Sequence, residues 1–223
     1  MKTDKIALIT ETGNGLSHKF AEILSAEHYS VVIAAKGSAY NELTKFNLDG
    51  IKVLDIDLTQ TAGVVQLYSY LKTAYGKLDI LINNAEVANG FGQKITELDI
   101  NEVKALYNEN LFSVMNTIKH LVSLLSKSDN PRIINITSGL GDINKMKADD
   151  FCYKDYKMIA YATAKSALDM LTVILDKELA PNNIKVERFD PVRIENCTHN
   201  SVDLCKGVKR EFIELLQPNT LVY

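Results

Sequence analysis

Tyr161 and Lys165, separated by Ala-Thr-Ala, put a phenol and an ammonium four positions apart in a segment that reads as helix. Residues i and i+4 share a helix face. An ammonium placed there stabilises the phenolate and is expected to lower a tyrosine pKa from about 10 toward neutrality, making a proton donor usable near pH 7. The same spacing occurs at Tyr68/Lys72 and Tyr153/Lys157, so surroundings must choose among the copies. Tyr161 is followed by Ala-Thr-Ala-Lys-Ser-Ala-Leu, small residues that let a helix pack close to a partner. Tyr153 is followed by Lys-Asp-Tyr-Lys-Met, too polar for a buried helix start. Tyr68/Lys72 lies in an earlier helical segment with no reason to meet Ser138. Tyr161 is the expected proton donor.

Two further groups could do chemistry beside it. Ser138 follows an apolar run at 132–136 and is suited to polarising a carbonyl; the plain alternative is a hydroxyl that caps the next turn. Asn110 sits inside an apolar helical segment, where the plain alternative is a polar residue facing water. Near the N-terminus, an apolar run enters Glu11-Thr-Gly13-Asn14-Gly15-Leu16-Ser17. A strand, a glycine turn and a helix start make a cradle whose backbone N–H groups face a dinucleotide pyrophosphate. An ordinary strand-to-helix turn is the alternative, because Gly-x-Gly alone is weak.

These groups need a scaffold. Short β-rich runs at 6–10, 31–35, 53–56, 80–82, 132–136 and 185–189 alternate with helical segments at 15–27, 39–47, 61–75, 101–127 and 160–179. Such alternation predicts an α/β fold of the doubly wound Rossmann type: a parallel sheet of about six or seven strands between two helix layers. Segment 101–127 is apolar on more than one face, as expected of a helix in the core or in a subunit contact. The stretch 139–157 reads as a long polar loop, with Lys145, Lys147, Asp149 and Asp150 as a solvated rim. No linker or repeat interrupts the chain, so residues 1–223 are expected to form one domain.

Composition narrows the partners. The net charge of −3 gives no reason to expect nucleic acid. No apolar run approaches membrane-spanning length, and no membrane is expected. The four His lack metal-ligand spacing, so no metal site is expected. Cys152, Cys197 and Cys205 form no Cys-x-x-Cys pair and read as reduced thiols of a cytoplasmic protein.

The chain resembles the short-chain dehydrogenase/reductase family from end to end. The resemblance rests on Thr10-Glu-Thr-Gly-Asn-Gly15-Leu-Ser, Asp57-Leu58-Thr59, Leu78-Asp-Ile-Leu-Ile-Asn83-Asn84-Ala85, Asn110-Leu-Phe, Ile134-Asn-Ile-Thr-Ser138 and Tyr161-Ala-Thr-Ala-Lys165, in matching order. It implies a carbonyl reductase or alcohol dehydrogenase using NADP or NAD, with Asn110, Ser138, Tyr161 and Lys165 as the catalytic set. Ser138 would polarise the carbonyl, Tyr161 would donate the proton, and Lys165 would hold the nicotinamide ribose. Asn110 would kink its helix and support a water relay. Gly13, Asn14, Gly15, Leu16, Asp57, Leu58, Asn84, Ala85 and Pro191 would line the dinucleotide, together with Tyr161 and Lys165. No acidic residue ends the second strand, where Lys36 stands instead; pairing with a 2′-phosphate makes NADP the expected preference, and a solvated lysine is the alternative. The resemblance also implies a homodimer or homotetramer.

The departures from the family pattern are specific. Glu11 and Ser17 replace glycines of the first loop, Glu86 follows Asn-Asn-Ala where glycine is usual, and the segment after Pro191 is shortened. A carboxylate about 5 Å from a phosphate at an effective dielectric of about 20 costs roughly 3 kcal/mol, unless it swings into solvent. A second reading therefore stands beside the enzyme: a non-catalytic member of the same fold, with impaired cofactor binding, that acts as a binding or assembly partner.

Overall fold

A computed structural model describes residues 5–11, 16–45, 50–84, 86–191 and 212–216. Among the described residues, six parallel strands form one sheet in the order β3-β2-β1-β4-β5-β6. They are β1 (Lys5–Glu11), β2 (Tyr29–Ala35), β3 (Ile51–Asp55), β4 (Ile80–Asn83), β5 (Arg132–Ile136) and β6 (Lys185–Phe189). This is the expected Rossmann-type α/β architecture. The order reverses between β1 and β4, and ligands of open parallel sheets bind in the crevice outside the strand ends at such a reversal.

Strand periodicity sorts the core into two layers. Ile6 and Leu8 of β1, with Val32 and Ala34 of β2, meet α3 (Thr61–Ala74), α5 (Ser113–Leu125) and α7 (Ile159–Leu179). Ala7 and Ile9, with Val31, Ile33 and Ala35, meet α1 (Leu16–Ala26) and α2 (Gly37–Leu43). Phe20, Phe189 and Phe212 pack ring on ring in this second layer. Truncating Leu67 or Leu71, both fully buried on α3, is the kind of change that costs about 2–5 kcal/mol.

The structure corrects the segment boundaries in one important place. The single helix expected at 101–127 is α4 (Ile100–Tyr107), a π-helical turn Asn108–Phe112, and α5. The extra residue of that turn rotates Asn110 into the interior. The loop expected at 139–157 holds a 3-10 turn, Gly139–Gly141, and a short helix α6 (Ile143–Lys147).

Candidate active site

The candidate residues gather at the C-terminal ends of the strands. Register pairs Thr10 of β1 with Asn83 of β4, and Asn83 with Asn135 of β5. Asn83 Nδ2 donates to Asn135 Oδ1 (2.7 Å), and Asn135 Nδ2 donates to Thr172 Oγ1 on α7 (2.8 Å). That relay ties α7 to the sheet beneath the site. Asn83 thus bridges two strands.

Helix α7 presents Tyr161, Ala164, Lys165, Leu168 and Thr172 on its buried face, a spacing of three and four residues. Lys165 is 1% exposed and Tyr161 4% exposed. The Lys165 ammonium lies 5.6 Å from the Tyr161 ring centroid. Gly141 makes the neighbouring turn possible: a Cβ there would come within 2.7 Å of the Ser166 nitrogen and 2.8 Å of the Lys165 carbonyl carbon. The close approach brings Ser138 to α7, where its hydroxyl hydrogen-bonds Tyr161. Ser138 also accepts from the Leu140 N–H at 3.3 Å, so it caps the turn as well. Ser138, Tyr161 and Lys165 therefore converge. Tyr153 does not sit on a helix, and Tyr68 lies on α3 beside Lys72. Neither rival copy joins Ser138.

Asn110 is fully buried and fastens the segment after β4. Its Oδ1 accepts from the Val87 N–H (2.8 Å), and its Nδ2 donates to the Val87 carbonyl (2.7 Å). It marks the expected helix irregularity, and its amide serves the backbone of Val87.

Glu86 changes the electrostatics of the whole corner. Tyr161 Oη donates to Glu86 Oε1 at 2.5 Å, and Lys165 Nζ stands 3.3 Å from Glu86 Oε2 and 2.9 Å from the Ile136 carbonyl. Burial pushes the Tyr161 hydroxyl up, and the charge and hydrogen bond of Glu86 push it further; the Ser138 hydrogen bond opposes them. Burial moves Lys165 down, against the pull of Glu86. The expectation that Lys165 lowers the tyrosine pKa fails in this arrangement. The ammonium is paired with a carboxylate, and the same carboxylate favours the neutral phenol.

The nucleotide side departs from expectation in the same manner. Glu11 neither faces solvent nor points at open space. It is 4% exposed, takes the Asn84 amide at 2.9 Å and lies 3.3 Å from the Ser17 N–H at the start of α1. Asn84 N–H in turn donates to Thr10 Oγ1 at 3.0 Å. Lys36, expected to meet a 2′-phosphate or solvent, is instead held between Glu109 (2.6 Å) and Asp57 (3.2 Å). Burial works against its charge, yet the hydrogen bonds to Glu109 and Asp57 raise its pKa. Asp57 also accepts from Thr59 N–H and Oγ1, and despite partial burial these bonds and Lys36 lower its pKa. Leu58 is buried in the core, Leu16 opens α1, and Pro191 is buried in the turn after β6. The cavity beside Lys36, lined also by Leu58 and Ser113, holds only about 10 Å³. Gly13, Asn14, Gly15 and Ala85 lie outside the described residues.

A dinucleotide can be tested against this donor set. The Asn84 amide, the α1 N-terminal N–H of Ser17 and the Lys165 ammonium are donors that want acceptor oxygens. Ser17 Oγ adds a fully buried hydroxyl with no hydrogen-bond partner among the described residues. The donors fit phosphate and ribose oxygens, and Glu11 and Glu86 at present accept from three of them.

Sequence reasoning missed Glu109, whose partner lies 73 residues away, and an aromatic cavity beside Ser138. Cys152, read as a reduced thiol, is disulfide-bonded; an odd count without Cys-x-x-Cys spacing carried no signal of it.

A short chain dehydrogenase family model matches residues 5–204. The chain belongs to the short-chain dehydrogenase family, a class of NAD(P)-dependent oxidoreductases. An uncharacterised oxidoreductase of Staphylococcus aureus (strain MRSA252) is 28% identical over 218 residues, covering 95% of this chain and 89% of that protein. Two solved structures share the fold. A 3-ketoacyl-(acyl-carrier-protein) reductase from Brucella melitensis, complexed with NADH, superposes with TM-score 0.71 at 22% identity, covering 84% of this chain and 75% of that one. An NADPH-bound carbonyl reductase from chicken fatty liver gives TM-score 0.72 at 20% identity, covering 84% and 79%. Among the described residues, no helix is long and apolar enough to cross a membrane, and no cluster of three or more His, Cys, Asp or Glu is arranged to hold a metal ion.

Proposed function

We propose that the protein is a carbonyl reductase or alcohol dehydrogenase in which Tyr161 is the general acid and base. The convergence of Ser138, Tyr161 and Lys165 on one buried corner supports this reading most. Asn84, Ser17 and Lys165 would hold the dinucleotide. When bound, it supplies or takes up the hydride. Ser138 Oγ and Tyr161 Oη orient the carbonyl by hydrogen bonds, and Tyr161 passes its proton to the carbonyl oxygen. Carbonyl plus hydride plus proton gives the alcohol, and oxidation runs in reverse. Asn110 holds the Val87 backbone.

Binding in this scheme is an exchange. Glu11 must release donors to the pyrophosphate, and Glu86 must release Lys165 to the ribose. The same two carboxylates favour the second reading, a member of the fold that binds no nucleotide productively and acts through its surface. Titrating NADPH and NADH against the protein by fluorescence and thermal shift separates the two. Saturation by either cofactor is expected; no binding at millimolar cofactor sinks the enzyme reading. NADP remains the proposed preference through Lys36, weakened by its two carboxylate partners.

A homodimer or homotetramer is proposed as well. Met170, Val173 and Ile174 on α7 and Met115 on α5 are exposed apolar side chains of the kind subunit contacts cover. Sedimentation as a strict monomer would count against it. The Cys152 disulfide removes the support that reduced thiols lend to a cytoplasmic placement.

A further inference from the structure

The cavity beside Ser138 and Tyr161 measures about 220 Å³. One wall carries Phe151, Tyr153 and Tyr156, rings packed edge to face, with the exposed Phe91 bracing Tyr156 from outside the lining. Phe91 meets Tyr156 at 4.7 Å, Tyr156 meets Tyr153 at 5.0 Å, and Tyr153 meets Phe151 at 5.8 Å between centroids. Each ring is propped by the next, so this wall is stiff. Phe151 lies directly on the backbone next to Ser138: a Cβ at Gly139 would stand 3.0 Å from its Cζ. Leu140, Met158 and Ala88 complete an apolar lining around the two hydroxyls. Among the described residues, the charged groups lining the cavity are Lys145 and Asp190, and they pair with each other at 3.0 Å.

Three properties of an occupant follow. An apolar cavity of about 150 Å³ accepts a benzene ring, so this one has room for one substituted ring or two fused rings. Flat rigid walls of aromatic edges and faces favour a flat rigid guest, which loses little conformational freedom on binding. A formal charge would meet no unpaired counter-charge and would have to open the Lys145–Asp190 pair.

We infer that the substrate is an uncharged ketone or secondary alcohol whose reacting carbon belongs to, or is attached to, a planar system of one or two rings. The inference rests on the proposed reductase reading, because only that reading sets the carbonyl at Ser138 and Tyr161. Phe151 and Tyr156 are then specificity-determining residues.

The test is a binding titration of the full chain, with and without saturating NADPH, followed by saturation-transfer NMR and tyrosine fluorescence. The probes are 1-tetralone, the linear 2-decanone of equal carbon count, and a carboxylated tetralone. Binding of 1-tetralone about tenfold tighter than either comparison probe is expected. Phe151→Ala should erase most of that advantage, and Tyr156→Leu, which keeps apolar bulk, should reduce it without threatening the fold. Equal or tighter binding of 2-decanone, or an unchanged preference in both variants, overturns the inference. The two readings fail separately. If 1-tetralone binds selectively but no dinucleotide binds, the reductase reading falls and the cavity assignment stands. If linear ketones are reduced as well as cyclic ones, the reductase reading stands and the ring assignment falls.

Discussion

On the β5 side of the crevice, Ser138 and Tyr161 face a cavity of about 220 Å³ with an apolar wall already in place. On the β1–β2 side, the comparable polar groups are turned onto each other: Glu11 takes Asn84, and Lys36 lies between Asp57 and Glu109 around a space of about 10 Å³. The substrate half is preformed, whereas the described donors of the nucleotide half, Ser17 Oγ apart, are satisfied from within. Buried donors left without acceptors cost about 1–3 kcal/mol each. A chain that carries carboxylates where glycines are usual has an internal source of acceptors, and the structure uses it. Glu86 sits on the seam, because it engages Tyr161 and Lys165 together.

The largest expected effect tests the preformed half alone. Tyr161→Phe removes the transferable proton and leaves the ring packing. Turnover should fall by about 10²–10⁴, the usual worth of general acid catalysis, with NADPH affinity nearly unchanged. Steady-state kinetics and a parallel NADPH titration check it. A retained rate would assign the chemistry to another group and dissolve the distinction between the halves.

Next comes the seam. Glu86→Gln keeps a neutral acceptor for Tyr161 and removes the charge from Lys165. NADPH should bind about tenfold tighter, since a charge-assisted contact worth roughly 1.5–3 kcal/mol no longer has to be broken. The tyrosine should titrate lower as well. Burial raises the Tyr161 pKa first, and both Glu86 contributions add to it. Its protonated form is therefore favoured in the folded state. That preference contributes stability that is complete below the unfolded pKa near 10 and is lost as pH rises toward the folded value. Tyrosinate absorbance, read as the difference between each protein and its Tyr161→Phe counterpart, should stay absent at pH 10 in the parent. It should emerge earlier in Glu86→Gln. Superimposable titrations would show that burial alone holds the phenol neutral.

Glu11→Gly sharpens the nucleotide side by a smaller margin. The variant leaves Asn84 and the Ser17 N–H without their carboxylate, so the free protein should melt lower, by an amount matching about 1–3 kcal/mol. NADPH should restore more stability to it than to the parent, because phosphate oxygens refill the same donors without competition. A thermal-shift series against NADPH concentration reads both at once. An unchanged dissociation constant would mean that Glu11 stands clear of the pyrophosphate path.

Sequence legibility divides along the same line. The six strands were readable from apolar β-branched runs, and the buried stripe of α7 from small residues at three- and four-residue spacing. The break in 101–127 was not readable, because the π-helical turn is secured by Asn110 reaching Val87 over 23 residues. Glu11, Lys36 and Glu86 were each recognisable as unusual. Their directions were not, because each is set by partners far along the chain: Glu86 by Tyr161 and Lys165, 75 and 79 residues on. The aromatic wall was hidden for a related reason. Phe151, Tyr153 and Tyr156 occur among lysines and aspartates in a stretch with no periodicity, and only the fold of 139–157 turns their rings inward.

The smallest expected effect concerns Lys36. A preference for NADP over NAD needs a lysine free to meet a 2′-phosphate. Held by two carboxylates at a half-exposed site, that lysine has little to offer, since exposed ion pairs are worth about 0–1 kcal/mol. Lys36→Ala should therefore change the ratio of NADPH to NADH affinity by no more than about fivefold. Glu109→Gln, which leaves Asp57 as the one remaining charged partner, should shift the ratio toward NADPH by about threefold. Mild acid should not release Lys36 from Asp57. The Asp57 pKa is lowered, so its contribution is present above the unfolded value near 3.8 and is lost only as pH falls through the folded one. A loss of NADPH affinity beyond about tenfold in Lys36→Ala would show the lysine leaving its carboxylates for the phosphate, and the nucleotide half would then count as adaptable where it now reads as closed on itself.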